Sequence, residues 1–280
     1  MTFRLANVAG RAALVDDQDR WHDLEQVAAG HLSSDPMAAL GHLDLLHELS
    51  ARLDDTTVGG PLAEATLGAP VPRPRNVFAV GLNYLDHAAE SAMTPPAVPL
   101  VFTKFPSCIV GPTADVALRT QTGDHEVELV VVIGRTARDV SEADAWDHVA
   151  GVTVGQDVSD RGLQFAAAPP HFDLGKSRDT FGPMGPVLVS TDGVPDRDDL
   201  AITCDVNGTR YQDDRTSGMI FSVPQLIAYL SGILTLDTGD VIFTGTPAGV
   251  GAAARRFLQP GDVIVSTIEG IGTMTNRCTA

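Results

Sequence analysis

Residues 123–134, Gly-Asp-His-Glu-Val-Glu-Leu-Val-Val-Val-Ile-Gly, constrain this chain more than any other stretch. β-Branched residues dominate the run and a glycine closes each end, the pattern of a β-strand. Side chains alternate across a strand, so Glu126 and Glu128 share one face, about 6.5–7 Å apart along it. Val130 and Val132 continue that face. Two ionised carboxylates on a partly apolar surface repel each other and lose hydration. A hard divalent cation relieves both problems. So does full solvation on a half-exposed strand, and spacing alone leaves both readings open.

Composition narrows what such a strand serves. With 280 residues, 44% hydrophobic and 20% charged, the chain reads as a soluble globular protein, long enough for one large domain and a smaller appendage. A net charge of −17 excludes the basic footprint of non-specific nucleic-acid binding and opposes docking on anionic membranes. No apolar run approaches the ~20 residues of a membrane-spanning helix. Arg11, Asp16 and Asp17 interrupt the N-terminus before any signal-peptide core. Cys108, Cys204 and Cys278 are far apart and odd in number. They show neither zinc nor disulfide spacing, which points to a reducing cytoplasm.

Along the chain, residues 1–70 read as a small N-terminal accessory domain and linker, and 71–280 as the main domain. Residues 4–8 and 11–15 suggest a hairpin turning near Gly10, extended by 21–24. Asp35-Pro36 opens a helix whose apolar stripe is Leu40, Leu43, Leu46 and Leu49. His31, His42 and His47 flank that stripe without acids at ligand spacing. The glycine- and proline-rich segments 57–61 and 68–74 read as linker. A strand at 76–80 precedes a helix-compatible segment, with Asn83 or Asp86 as cap. There His87 and Glu90, three apart, share a face. A carboxylate beside an imidazole orients it and raises its basicity, as a general base requires, although a plain surface pair has the same spacing. Residues 92–99 read as a proline-broken flap. A second apolar strand, 151–158, carries Asp157 near its end, either as a cap or as the third acid of a trio with Glu126 and Glu128. Gly175-Lys176-Ser177 lacks the upstream glycine of a phosphate loop, since Pro170 stands there. By itself Lys176 reads as a solvated lysine. Asn207-Gly208 marks a hairpin. Ser222 caps a helix over 223–230, with Pro224 in its first turn. Strands at 239–244, 261–265 and 267–270 close the chain. Repeated Gly-Asp dipeptides before strands argue for an α+β, mainly β architecture of antiparallel or mixed sheets, not a doubly wound one.

Six ordered motifs now combine. They are Gly-Leu-Asn-Tyr…His…Glu at 81–90, Glu-Val-Glu-Leu-Val-Val-Val-Ile-Gly at 126–134 and Gln-Asp-Val-Ser-Asp-Arg-Gly-Leu-Gln at 156–164. Leu-Gly-Lys-Ser at 174–177, Phe-Thr-Gly-Thr-Pro-Ala-Gly-Val-Gly at 243–251 and Ile-Glu-Gly-Ile-Gly at 268–272 follow. Together they resemble the fumarylacetoacetate hydrolase family over about residues 74–278. The resemblance implies a mixed β-sandwich roll, a homodimer, and bound Mg²⁺, with Mn²⁺ or Ca²⁺ as substitutes. It implies metal ligands Glu126, Glu128 and Asp157, a His87–Glu90 dyad on a lid helix, and Lys176 near the substrate. Gln164 and Thr246 become substrate contacts, with Arg161 in a shared motif. Gln156 stands where the family often has Asn, and Asp160 replaces Ala of a Ser-Ala-Arg triplet. Both are neighbours of the proposed ligands and bear on specificity.

The chemistry expected from that resemblance is hydrolysis of the C–C bond of an acylpyruvate, a 2,4-dioxo acid, through a metal-stabilised pyruvate enolate. His87 activates water, and Lys176 polarises a forming oxyanion. Oxaloacetate decarboxylation and tautomerisation or isomerisation of a 2-hydroxymuconate-type acid share the enolate. A non-catalytic 2-oxo-acid binding protein is the alternative of a different class.

Overall fold

In the computed structural model, which describes residues 2–91 and 93–280, the valine-rich run forms the strand Val127–Ile133, buried on both faces. Of the two readings that spacing left open, the half-exposed strand is set aside, because the strand lies inside a sheet covered on both sides. That sheet runs Val58–Pro61, Arg20–Asp23, Arg11–Val15, Arg4–Val8, Gly182–Val189, Val149–Gln156, Val127–Ile133, Val241–Phe243, Val77–Gly81 and Leu100–Thr103. Pairing along this path is antiparallel except between Val241–Phe243 and Val77–Gly81. A second sheet is ordered Thr209–Arg215, Ala201–Val206, Val263–Ile268, Gly272–Thr279 and Val116–Ala117. The architecture is the mixed, mainly β one that the strand patterns predict.

Two apolar layers follow from the alternation of side chains. Val127, Leu129, Val131 and Ile133 pack with Ile202, Cys204, Ile264 and Met274 of the second sheet. Val130 and Val132 pack with Phe243, Leu188, Leu40 and Leu46 on the other face. The helix Leu43–Ser50 and its neighbour Pro36–Ala39, capped by Asp35 through Met37 N–H, cover that face. Each fully buried valine or leucine contributes about 1.5–3 kcal/mol.

The Arg4–Val8 and Arg11–Val15 hairpin turns through Ala9 and Gly10, both at positive φ. Asn207-Gly208 does the same for the second sheet, and Ser222 with Gln225 forms a full capping box on Val223–Ser231. Three expectations change. Val58–Pro61 and Leu67–Gly68 are paired strands, against Arg20–Asp23 and Arg4–Val8, where linker was read. The segments at 261–265 and 267–270 are one strand, Val263–Ile268, and its turn into the unread strand Gly272–Thr279. Asn83 caps nothing; its amide instead ties Phe221 O, Phe221 N–H and Thr244 O together. The flap read over 92–99 begins at Ala92, which lies outside the described residues, as does Met1. Residues 93–99 are irregular.

Candidate active site

The three acids meet where their strands end. Glu126 immediately precedes Val127–Ile133, Glu128 is its second residue, and Asp157 follows the last residue of Val149–Gln156. Asp157 N–H donates to Glu126 O at 2.9 Å, which locks the two strand ends together. One carboxylate oxygen from each acid lies within 4.8 Å of the other two, and all three residues are buried.

Gln156 and Asp160 serve this geometry from behind. Gln156 Oε1 accepts from Glu126 N–H at 2.9 Å, and its amide donates to Ser266 of the second sheet. Asp160 caps the short helix Arg161–Gln164 and accepts from Thr122 and Arg178. Neither side chain lines the cavity, so these two departures from the family pattern are supports of the frame.

Charges around the acids are unequal. Lys176, only 3% exposed, donates to Glu126 Oε2 at 2.6 Å and Asp157 Oδ2 at 2.7 Å. The solvated reading that Lys176 allowed in isolation is set aside, and the lysine stands beside the acids. Arg161 donates to Glu126 Oε1, to Asp124 at 2.8 Å and to Gln164 Oε1 at 2.9 Å. Burial pushes the Glu126 carboxyl upward, but Arg161, Lys176 and His87 outweigh it and hold it below the ordinary range. Glu128 accepts from Gly245 N–H at 2.7 Å, and no cation hydrogen-bonds to it among the described residues. Burial, reinforced by Asp157 and Glu126, holds its carboxyl well above the ordinary range. A set of hard oxygen donors with one poorly compensated charge fits a divalent cation.

Sequence reading missed Lys104. Fully buried, its Nζ donates to Asp157 Oδ1 at 2.7 Å, to Phe181 O at 3.0 Å and to Lys176 O. Burial works against its charge, yet Asp157 keeps it raised above the ordinary lysine range. A lone lysine after the strand Leu100–Thr103 gives no local signal of this. Asp124 was missed too; it holds Arg161 while accepting from Gly251 and Ala252 N–H.

The dyad forms as its spacing predicts. His87 and Glu90 lie on the helix Leu85–Glu90, with Nδ1 and Oε1 2.9 Å apart. Glu90 also accepts from Gly249 N–H at 3.0 Å and Val250 N–H at 3.4 Å. Burial raises its carboxyl, but the His87 bond and these amides outweigh it, so it sits below the ordinary range. One loop, 245–252, therefore points backbone N–H groups at Glu128, Glu90 and Asp124. It needs glycine at 249, where φ is +105° and a Cβ would stand 1.9 Å from Tyr211 O.

A cavity of about 380 Å³ joins the acids, His87, Glu90, Lys176, Arg161, Gln164 and Thr246. The Thr246 hydroxyl donates to Val127 O and accepts from Gln212, so its hydrogen is already used. Gln164 is buried with its oxygen held by Arg161.

Comparison with known proteins now finds a match of residues 76–279 to the fumarylacetoacetate (FAA) hydrolase C-terminal family. The human mitochondrial oxaloacetate tautomerase FAHD2A is 45% identical over 221 residues, 78% of this chain and 70% of its own. Fumarylacetoacetate hydrolase from Exiguobacterium antarcticum superimposes with a TM-score of 0.86 at 34% identity, covering 100% of this chain and 99% of its own. Maleylpyruvate hydrolase from Sphingobium sp. SYK-6, solved with manganese(II) and pyruvate, gives 0.82 at 29% identity, covering 99% and 98%.

Proposed function

Because this chain belongs to the fumarylacetoacetate hydrolase family, we propose that it hydrolyses the C–C bond of an acylpyruvate in the presence of a divalent metal, Mg²⁺ first and Mn²⁺ or Ca²⁺ as substitutes. The observation that carries this reading is His87. Glu90 holds its Nδ1, and Nε2, without a partner among the described residues, belongs to a ring lining the cavity with the three acids. When bound by Glu126, Glu128 and Asp157, the cation supplies Lewis-acid polarisation of a 2-oxo acid.

With Nδ1–H donating to ionised Glu90, neutral His87 keeps a lone pair at Nε2 and takes a proton from water. The hydroxide adds to C4 of R–CO–CH₂–CO–COO⁻. The C3–C4 bond breaks, its electron pair stays on C3 as the pyruvate enolate, and the proton held by His87 returns to C3. One water is consumed, and R–COOH and pyruvate leave. Lys176 brings a positive charge to the end of the cavity where the enolate develops, and Gln164 has an amide nitrogen for substrate.

Oxaloacetate tautomerisation is the second reading, favoured by the identity to the human tautomerase. There His87 moves a proton at C3 and no water is consumed. The test is NMR assay of acetylpyruvate and oxaloacetate with Mg²⁺ and with EDTA. We expect Mg²⁺-dependent release of acetate and pyruvate, reduced at least ~100-fold in His87→Ala with metal binding retained. Full activity of His87→Ala sinks the dyad assignment. Conversion of oxaloacetate enol without acylpyruvate cleavage selects the second reading.

A further inference from the structure

One wall of the cavity is a row of three phenyl rings that begins beside Lys176. Lys176 Nζ lies 5.4 Å from the Phe102 ring centroid. Phe102 and Phe172 meet edge to face at 5.4 Å and 69°, and Phe172 and Phe165 at 6.2 Å and 69°. Phe165, 54% exposed, ends the row at the cavity mouth. An edge-to-face row presents ring faces and edges in alternation, the surface that another aromatic ring packs against.

The charged lysine stands where the row begins. Among the described residues, the side chains lining this cavity that carry a fixed positive charge are Arg161 and Lys176, and each is already bonded to a carboxylate. A second carboxylate carried out along the phenyl row would lose water and gain no partner. A flat apolar group would instead displace water from the exposed Phe165 ring and from the partly buried Phe102 and Phe172.

We infer that the group R of the substrate is an uncharged aromatic one, so that the enzyme takes aroylpyruvates in preference to acetylpyruvate or to dicarboxylic 2-oxo acids, with Phe102, Phe172 and Phe165 setting the preference. This rests on the acylpyruvate reading and adds the chemical class of the acyl group. The phenyl row selects the substrate and takes no part in proton transfer.

The experiment compares benzoylpyruvate, acetylpyruvate and fumarylpyruvate at saturating Mg²⁺, by turnover and by calorimetric binding. Benzoylpyruvate is expected to exceed acetylpyruvate in kcat/KM by at least ~10-fold. Phe172→Ala lowers the benzoyl value ~5–10-fold and the acetyl value less than ~2-fold. Phe165→Arg, at an exposed site that tolerates the change, supplies the missing cation and raises fumarylpyruvate use ~10-fold. Equal or better use of acetylpyruvate or fumarylpyruvate by the unaltered enzyme overturns the inference, and so does an equal loss for both substrates in Phe172→Ala. Absence of C–C cleavage on all three, with benzoylpyruvate still binding ~10-fold tighter than acetylpyruvate, overturns the hydrolase reading and supports the aromatic preference.

Discussion

Glu128 is the least compensated acid of the trio. Glu126 is bonded to Arg161 and Lys176, and Asp157 to Lys104 and Lys176, while Glu128 accepts from a backbone amide. The spacing of Glu126 and Glu128 made the pair legible in sequence. The resemblance brought Arg161 and Lys176 to the site, but not the pairing that divides the three acids into two paired and one under-compensated, and Lys104 was missed, because that pairing depends on how separate segments pack together. Lys104 is the clearest case. Its ammonium serves Asp157 and two carbonyls in a place without solvent, so its removal strands a buried carboxylate and two acceptors. Lys104→Met should cost about 3–5 kcal/mol, read from urea unfolding at neutral pH. A change below about 1 kcal/mol would mean that Lys104 is dispensable to the frame. His87 differs: three-residue spacing on a helix announced its partner, and local geometry alone delivered it.

Among the elements, the turn joining Arg11–Val15 to Arg20–Asp23 shows how one side chain organises two strands. Asp16 accepts from the N–H groups of Gln18 and Arg20, from the Arg20 guanidinium at 2.8 Å and from the His22 ring at 3.1 Å. Burial pushes the Asp16 carboxyl up, yet these donors outweigh it and lower it to about 2. Since the folded value lies below the ordinary aspartate value of about 3.9, the stabilisation is complete above about pH 4. It is lost as pH falls toward about 2. Asp16→Asn should therefore cost about 1–2 kcal/mol at pH 7, and the gap from the unaltered protein should narrow between about pH 4 and about pH 2. A gap that stays constant over that range in denaturant titrations would count against it. Hairpins with Gly10 and Asn207-Gly208 were readable because positive φ restricts which residues turn a tight hairpin. The strand Gly272–Thr279 was unreadable because its inward residues are Met274, Asn276 and Cys278, an alternation with little hydrophobic contrast.

Across the whole molecule, the proposed metal binding would be linked to folding, because the trio exists only when two strand ends are held side by side. Mg²⁺ or Mn²⁺ at about 100 times its Kd should add about 2.7 kcal/mol of stability, a rise of roughly 5–10 °C in Tm for a domain of this size. Scanning fluorimetry with EDTA as reference should show that rise and show it lost in Glu128→Gln; an equal shift in the variant would place the ion elsewhere. No helix among the described residues is long and apolar enough to cross a membrane. The sequence by itself determined the strand and helix periods and the turn residues, because each rests on local spacing, and six ordered motifs carried the family and, through it, the expected roles of the three acids and the dyad. Tertiary structure alone decided that the valine-rich strand is buried on both faces, that Lys104 and Asp124 belong to the site, and that loop 245–252 turns its amides toward three carboxylates. The reason is physical: burial and charge pairing depend on what packs against a residue from elsewhere in the chain, and no period along the strand carries that information.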